Sequence, residues 1–317
     1  MIYISVNDSG EFGLIARIAA RISAAEPVLL GPGDDAAVVA APDGRVVATT
    51  DLLVDGRHFR RDWSTAYDVG RKAAAQNLAD IAAMGAVPTA LLVGLAAPPD
   101  LALNWADGLA DGLRDEAALV GAGVAGGDVV ASDRVTIAVT ALGDLAGRSP
   151  VTRSGARAGD VVVLAGRVGW AAAGLALLEA GRSDHPMADA HRRPDVDYAA
   201  ARALAAAGAT SMIDVSDGLL ADLGHVAAAS GVRIEVASAA LPVSPEVRAA
   251  AEELGVDPLG WVAGGGDDHA FAATLPAEAV SAYPVIGRVT DVPAGESAGA
   301  VITDRDWLAS PGHEHFR

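Results

Sequence analysis

Cysteine is absent from the 317 residues, and lysine occurs once, as Lys72. The first absence excludes disulfides and thiolate metal sites. The second removes the usual phosphate-loop chemistry. There is no G-x-x-x-x-G-K-[ST] motif, and no glycine loop precedes Lys72. The H-R-D and D-F-G signatures of protein kinases are missing, as is H-E-x-x-H. Long hydrophobic runs are missing too. The run over residues 91–97, for example, ends at Pro98-Pro99 and falls well short of the ~20 apolar residues a membrane-spanning helix needs. Residues 1–10 hold no basic stretch followed by an apolar one. No signal peptide is therefore expected, and the cytoplasm is the default location. A net charge of −18 argues against nucleic acid, whose phosphates require Lys and Arg contacts.

What the chain does have is carboxylate. With 51% hydrophobic and 20% charged residues it reads as a soluble globular protein, long enough for two domains. Its acids recur in short motifs that flank a glycine or end an apolar run. These are Gly33-Asp34-Asp35, Thr49-Thr50-Asp51, Asn77-Leu78-Ala79-Asp80, Gly126-Gly127-Asp128 and Asp214-Val215-Ser216-Asp217-Gly218. Several carboxylates in one cleft repel each other. At ~4 Å and an effective dielectric of about 20, each pair costs on the order of 4 kcal/mol. Divalent cations relieve that cost, and Mg²⁺ prefers one or two carboxylates together with substrate phosphates. The pattern points to an enzyme of nucleotide phosphates that neutralises charge with metal, arginine and backbone amides.

Hydrophobic periodicity places these motifs. A helix is expected over 11–25 and strands over 36–40 and 45–53, the second ending in Thr49-Thr50-Asp51. Alternation along that strand sends Thr49 and Asp51 one way and Thr50 the other. A helix over 68–84 has Asp68 as its expected N-cap and Gly85 as its C-terminal stop. Asn77 and Asp80 share one of its faces. Strands over 89–96 and 134–145 flank a helix over 101–121 and the Gly126-Gly127-Asp128 segment. The candidate linker is 146–150. The second half restarts with a strand over 160–165 and a helix over 170–180, followed by a polar, loop-like stretch over 182–194. A strand over 211–215 enters Ser216-Asp217-Gly218 ahead of a helix over 219–229, for which Asp217 is the expected N-cap. Residues 264–269 read as a mobile ligand loop. The fold class is α/β of the α+β type, with domains at 1–147 and 148–317.

Each motif alone has a plain structural reading. Gly33-Asp34-Asp35 and Gly126-Gly127-Asp128 suit turns, Thr49-Thr50-Asp51 an exposed strand end, Asp80 a solvent-facing helix position, and Ser216-Asp217 a helix cap. Arg153 suits a surface position and His58 a loop cap. Five acidic motifs together with one lysine are hard to explain as independent turns. The Gly126-Gly127 pair would let backbone amides approach a ligand, and a strand–helix junction such as Ser216-Asp217-Gly218 favours anions.

Together these motifs resemble the thiamine-monophosphate kinase family, within the superfamily of aminoimidazole ribonucleotide synthetase and selenophosphate synthetase. The resemblance runs from Gly10-Glu11-Phe12-Gly13 to Gly312-His313-Glu314-His315-Phe316. Its most specific pieces are residues 77–86 and 213–219. It implies an N-terminal ATP- and Mg²⁺-binding domain, with a mixed sheet, that dimerises, and a C-terminal α/β domain. It also implies phosphoryl transfer from ATP to thiamine monophosphate with several Mg²⁺ ions. Metal would be held by Asp35, Thr49, Thr50, Asp51, Asp80, Asp128, Asp214 and Asp217, with Asp35, Asp80 and Asp214 central to catalysis. Nucleotide would meet Gly127, Asp128, Arg153 and Ser216. Acceptor would meet His58, Asp267 and His313. The family's Gly-Gly-Glu-Asp reads Gly265-Gly266-Asp267-Asp268 here, and its C-terminal aromatic falls on His313. Both departures touch the acceptor end. The alternative is therefore a related ATP-dependent enzyme with a different acceptor, as in aminoimidazole ribonucleotide synthetase. A non-enzymatic module would be expected to have lost ligand positions, and none of the matched ones is lost.

Overall fold

The computed structural model describes residues 5–22, 25–31, 37–279 and 282–304; Asp35 and His313 lie outside them. Residues 1–81 and 86–148 form one compact unit, and residues 82–85 and 149–317 form a second. Each is an α/β unit around its own sheet, in keeping with the expected class. Among the described residues, no helix is long and apolar enough to cross a membrane.

The N-terminal unit runs α1 (Val6–Ala19), β1 (Val28–Leu30), β2 (Val38–Val39), β3 (Val47–Val54), α2 (Ala66–Ala83), β4 (Val87–Ala97), α3 (Leu103–Ala118), β5 (Gly123–Ala131) and β6 (Thr136–Asp144). Four strands form a mixed sheet in the order β3-β6-β4-β5, in which only the β4–β5 pairing is parallel. Its alternation is plainest on β6. Ile137, Val139 and Ala141 are buried, while Thr136, Ala138 and Thr140 between them are not. The buried face takes the helices, because the Thr49 hydroxyl on that side bonds Asp80 of α2.

Two helix starts differ from expectation. Thr65, not Asp68, caps α2. The Thr65 hydroxyl accepts the Asp68 N–H at 3.2 Å, and the Asp68 carboxylate accepts the Thr65 N–H at 2.9 Å. A first-turn acid thus completes a reciprocal capping box. The first helix begins at Val6, earlier than its apolar spacing suggests, because Ser5 and Asp8 make the same arrangement. It kinks at Gly10, whose φ is +69°, and its Leu14 packs with Leu103 and Ala106 of α3. Gly126-Gly127-Asp128 is no turn. It lies inside β5, hydrogen-bonded along β4.

The C-terminal unit runs β7 (Val161–Ala165), α4 (Trp170–Glu179), α5 (Ala188–Arg192), α6 (Tyr198–Ala206), β8 (Ser211–Asp214), α7 (Leu219–Ser230), β9 (Arg233–Val236), α8 (Pro245–Leu254), α9 (Pro258–Gly264), β10 (Phe271–Leu275), β11 (Val285–Thr290) and β12 (Gly299–Ile302). Six strands order as β12-β9-β11-β7-β10-β8. One apolar core gathers Val162 and Leu164 of β7, Leu177 of α4, Leu219 and Leu223 of α7, and Ile234 of β9. The polar stretch read as a loop holds the short helix α5, which packs on α4.

The site-bearing helix α2 crosses α3 at a reciprocal glycine contact. A Cβ on Gly70 would lie 2.2 Å from the Leu109 carbonyl oxygen, and one on Gly112 would lie 2.2 Å from the Tyr67 carbonyl oxygen. Only hydrogen fits at both positions. Gly112→Ala is expected to force the helices apart and to cost about 1–3 kcal/mol, read as a lower urea midpoint. An unchanged midpoint would show that the crossing relaxes freely.

Candidate functional site

In the N-terminal unit the site grows from β3 and α2. Asn77 is fully buried. Its amide nitrogen donates to the Ala73 carbonyl at 2.9 Å, and its oxygen accepts the Asp51 N–H at 3.0 Å. One helix turn onward, the Asp80 carboxylate accepts the Thr49 hydroxyl at 2.7 Å. Asn77 thus ties the strand backbone to the helix, and Thr49, Asp51 and Asp80 gather on the covered side. Thr50 points away, its hydroxyl donating to the Val139 carbonyl at 3.1 Å and accepting from Thr140.

Cross-strand register carries this row to the far edge of the sheet. Asp51 pairs with Val139, Val139 with Val93, and Val93 with Gly127. At ~4.8 Å per strand the two motifs stand about 14 Å apart. Cross-strand partners share a face, so Gly127 lies on the helix side. Asp128, opposite Gly94 and Ala138, lies on the open side with Thr50. The predicted ligands of this unit are therefore divided between the two faces. Gly127 has a structural reason to be glycine, since a Cβ there would sit 1.9 Å from the Val93 carbonyl oxygen. Gly126 has none: its Cβ would meet only Leu92 at 3.7 Å. Beside the pair opens a cavity of about 90 Å³ lined by Ile15, Ile18, Ile22, Leu109 and Leu113. Sequence reasoning did not find it, because its walls come from four elements, α1, β4, α3 and β5, spread along the chain.

His58 follows β3. Its Nδ1 accepts the Val54 N–H at 3.0 Å. A neutral ring therefore carries its proton on Nε2.

In the C-terminal unit the site forms where β8 ends. The expected cap Asp217 does not cap α7; Gly218 holds that position. The turn is instead organised by Asp222, whose single Oδ2 accepts the N–H groups of Ser216, Asp217 and Gly218 at 3.0–3.1 Å. Asp222 is 2% exposed, and burial, with the charges of Asp214 and Asp217, pushes its pKa up to about 7. Asp217, Asp222 and His225 place ligand atoms within 4.8 Å of one another. Arg153 stands elsewhere in this unit. It is exposed, its carbonyl accepts the Ser230 hydroxyl at the end of α7, and its turn abuts Thr210 at the start of β8. Arg153 and Ser216 thus occupy opposite ends of β8.

The segment read as a mobile loop is tied down. Asp267 donates its N–H to the Ser216 carbonyl at 2.8 Å, and His269 donates to that of Val215 at 2.9 Å. A Cβ on Gly266 would lie 2.1 Å from the Ser216 oxygen, so glycine is required there. Asp268 accepts the N–H groups of Gly169 and Ala171 at the start of α4, at 2.5 and 2.8 Å, and burial pushes its pKa up to about 7. His269 bonds Asp214 through Nδ1 at 2.9 Å. Burial pulls its pKa down, but the carboxylates of Asp214 and Asp267 outweigh this and hold it near about 10. Asp222 was not singled out from sequence, and Asn77 and His269 were read only as members of their motifs, without a role of their own. Each acts on backbone or side chains brought to it by the fold.

Asp222 generates a pH prediction. Its folded pKa lies above the unfolded value of 3.8, so its contribution to stability is full below that value and is lost as pH rises through about 7. In metal-free protein, the stability of wild type relative to Asp222→Asn should fall from pH 4 to pH 8, by up to on the order of 4 kcal/mol. Urea midpoints across that range test it; a pH-independent difference would mean that Asp222 is already ionised at pH 4.

Comparison with known proteins fits this arrangement. The family model for the AIR synthase related protein N-terminal domain matches residues 33–145, and that for the C-terminal domain matches residues 157–298. A curated thiamine-monophosphate kinase of Mycobacterium tuberculosis is 49% identical over 311 residues, 97% of this chain and 92% of that protein. The crystal structure of thiamine-monophosphate kinase from Stenotrophomonas maltophilia K279a superposes with a TM-score of 0.80 at 33% identity, covering 91% of this chain and 95% of that one. AaThiL complexed with AMPPCP and TMP also gives a TM-score of 0.80, at 30% identity over 100% of both chains. Matches that span both units at this level leave one assignment: the chain belongs to the thiamine-monophosphate kinase family of AIR-synthase-related proteins.

Proposed function

We propose that this chain transfers the γ-phosphoryl group of ATP to the phosphate of thiamine monophosphate, releasing thiamine diphosphate and ADP. The observation that carries this reading is the near full-length match to relatives named thiamine-monophosphate kinase, together with the likeness to AaThiL complexed with AMPPCP and TMP. The acceptor oxygen is already ionised at neutral pH, so the reaction requires no protein nucleophile and no strong base. Catalysis rests on positioning and on charge.

The donor set fits Mg²⁺. Threonine hydroxyls and carboxylates are hard oxygen ligands, and the crowding of Asp214, Asp217 and Asp222 leaves negative charge that a cation would relieve. Asp35, Thr49, Thr50, Asp51, Asp80 and Asp128 would hold metal from the N-terminal part, and Asp214 and Asp217 from the C-terminal part. Bound there, Mg²⁺ would neutralise charge on the phosphoryl oxygens. Gly127, Asp128, Arg153 and Ser216 meet the nucleotide, and the apolar cavity beside Gly126 suits a purine base. His58 would meet the acceptor. Asp267 and His313 would meet the thiamine end.

A homodimer is part of this reading. The open face of the N-terminal sheet exposes Leu52, Leu92 and Val130 at 54%, 36% and 55%. Between them stand the small side chains of Ala138 and Thr140. A sheet face that exposes these apolar side chains beside Thr50 and Asp128 suits a second copy of itself.

Two measurements test the proposal. Protein mixed with ATP, Mg²⁺ and thiamine monophosphate should form thiamine diphosphate in step with ADP. Asp80→Ala should lower that rate on the order of 100-fold or more, while losing the Thr49 bond costs only about 1 kcal/mol of stability. A variant at near wild-type rate would remove Asp80 from the site. ATP binding that depends on Mg²⁺, without product, would move the acceptor to another metabolite. Sedimentation should give twice the chain mass, and Leu92→Glu should give the chain mass; a wild-type monomer would exclude the sheet-face dimer.

A further inference from the structure

His269 is a buried side chain for which the proposed chemistry has no use, and its surroundings are specific. The residue is 4% exposed. Its Nδ1 lies 2.9 Å from Asp214 Oδ2. Its Nε2 is buried without a hydrogen bond, and the Oδ1 of Asp267 stands 3.6 Å away. The other Asp267 oxygen lies 3.7 Å from Nδ1 of His191 on α5. The Asp267 carboxylate is thus flanked by two imidazoles. A buried polar atom left without a bond is costly, and a gap of 3.6 Å is one that a small side-chain movement closes.

The backbone supports the same reading. Asp267 and His269 both hold left-handed conformations, with φ of +68° and +53°. Non-glycine residues seldom adopt this region, and strain of this kind persists only where the surroundings enforce it. Here the enforcement is visible in the N–H bonds to Ser216 and Val215 and in the two N–H groups gripped by Asp268. The strained turn directs the side chains of 267 and 269 toward each other and toward the end of β8.

We propose that His269 is a positioning residue whose imidazole spans from Asp214 to Asp267 and fixes the Asp267 carboxylate toward the cationic ring of the acceptor. Asp267 is partly exposed, with 31% side-chain accessibility, so an unsupported carboxylate would sample several rotamers. Confinement between His191 and His269 removes that freedom. The strut also links the acceptor end to Asp214, so that the two ends of the C-terminal site share one rigid element. This inference rests on the proposed function, because it names the acceptor end of that same site.

The test is His269→Asn, which keeps an amide near the Nδ1 position and deletes Nε2. The KM for thiamine monophosphate should rise about tenfold while the KM for ATP stays within about twofold. The double variant with Asp267→Asn should raise the acceptor KM no further than Asp267→Asn alone, since both changes break one interaction. An unchanged acceptor KM, an equal rise in both KM values, or multiplying effects in the double variant would overturn the proposal. Should His269→Asn fail to fold, Asp267→Asn in ¹⁵N-histidine-labelled protein decides the matter. It should shift the ring signals of two histidines, and no shift would overturn the strut. The labelled protein needs no turnover. A wild-type protein inactive on thiamine monophosphate therefore counts against the proposed acceptor, while the ring signals still decide on His269.

Discussion

The C-terminal site depends on one carboxylate holding three consecutive backbone N–H groups. Asp222 reaches back from the first turn of α7 to the turn that leaves β8. That turn, once fixed, offers the Ser216 carbonyl to Asp267 and leaves room only for a glycine at 266. The next residue, Asp268, clasps the start of α4, and His269 closes the circuit on Asp214. Each contact presupposes the one before it. The arrangement collects negative charge: Asp222 lies beside Asp214 and Asp217, and its pKa is raised first by burial and then by their charges. Such crowding is what the proposed cation would relieve.

The N-terminal site rests on a different constraint, which is close approach. Gly70 and Gly112 let α2 and α3 cross backbone to backbone, and Gly127 lets β5 lie against the Val93 carbonyl. Asn77 then anchors the Asp51 backbone. With those distances set, strand register alone carries the Thr49-Thr50-Asp51 row to Gly127 on the far strand. The glycines beside Asp128 have divided duties: Gly127 is demanded by the sheet, whereas Gly126 borders the apolar cavity.

Local patterns were legible where one periodicity governed a whole element. The alternation of β3 and β6 is read directly from residue order, because one face of each is more buried than the other. The reading failed where another group, near or distant in the chain, outcompeted the expected one. Asp68 and Asp217 both looked like helix caps; Thr65 took the first position and Gly218 the second, the latter with Asp222 satisfying the free N–H groups. The Gly126-Gly127-Asp128 run looked like a turn because glycine pairs usually mark one, but pairing with β4 drew it into a strand. The 264–269 segment looked mobile for the same compositional reason, and backbone bonds to Val215 and Ser216 hold it.

Residue order by itself determined the chemistry available to this protein: hard oxygen ligands in place of lysine, no thiols, and two α/β halves carrying acidic motifs at the ends of apolar runs. It did so because donor type, charge and hydrophobic period are properties of residues and their near neighbours. Tertiary structure decided which acids meet and what holds them. Thr49 joins Asp80 across 31 positions of chain, and His269 joins Asp214 across 55. Thr50 and Asp128 fall on the opposite face of their sheet from Asp51. Those outcomes follow from strand register, helix crossing and buried hydrogen bonding, which act between segments that have no relation in sequence until the chain has folded.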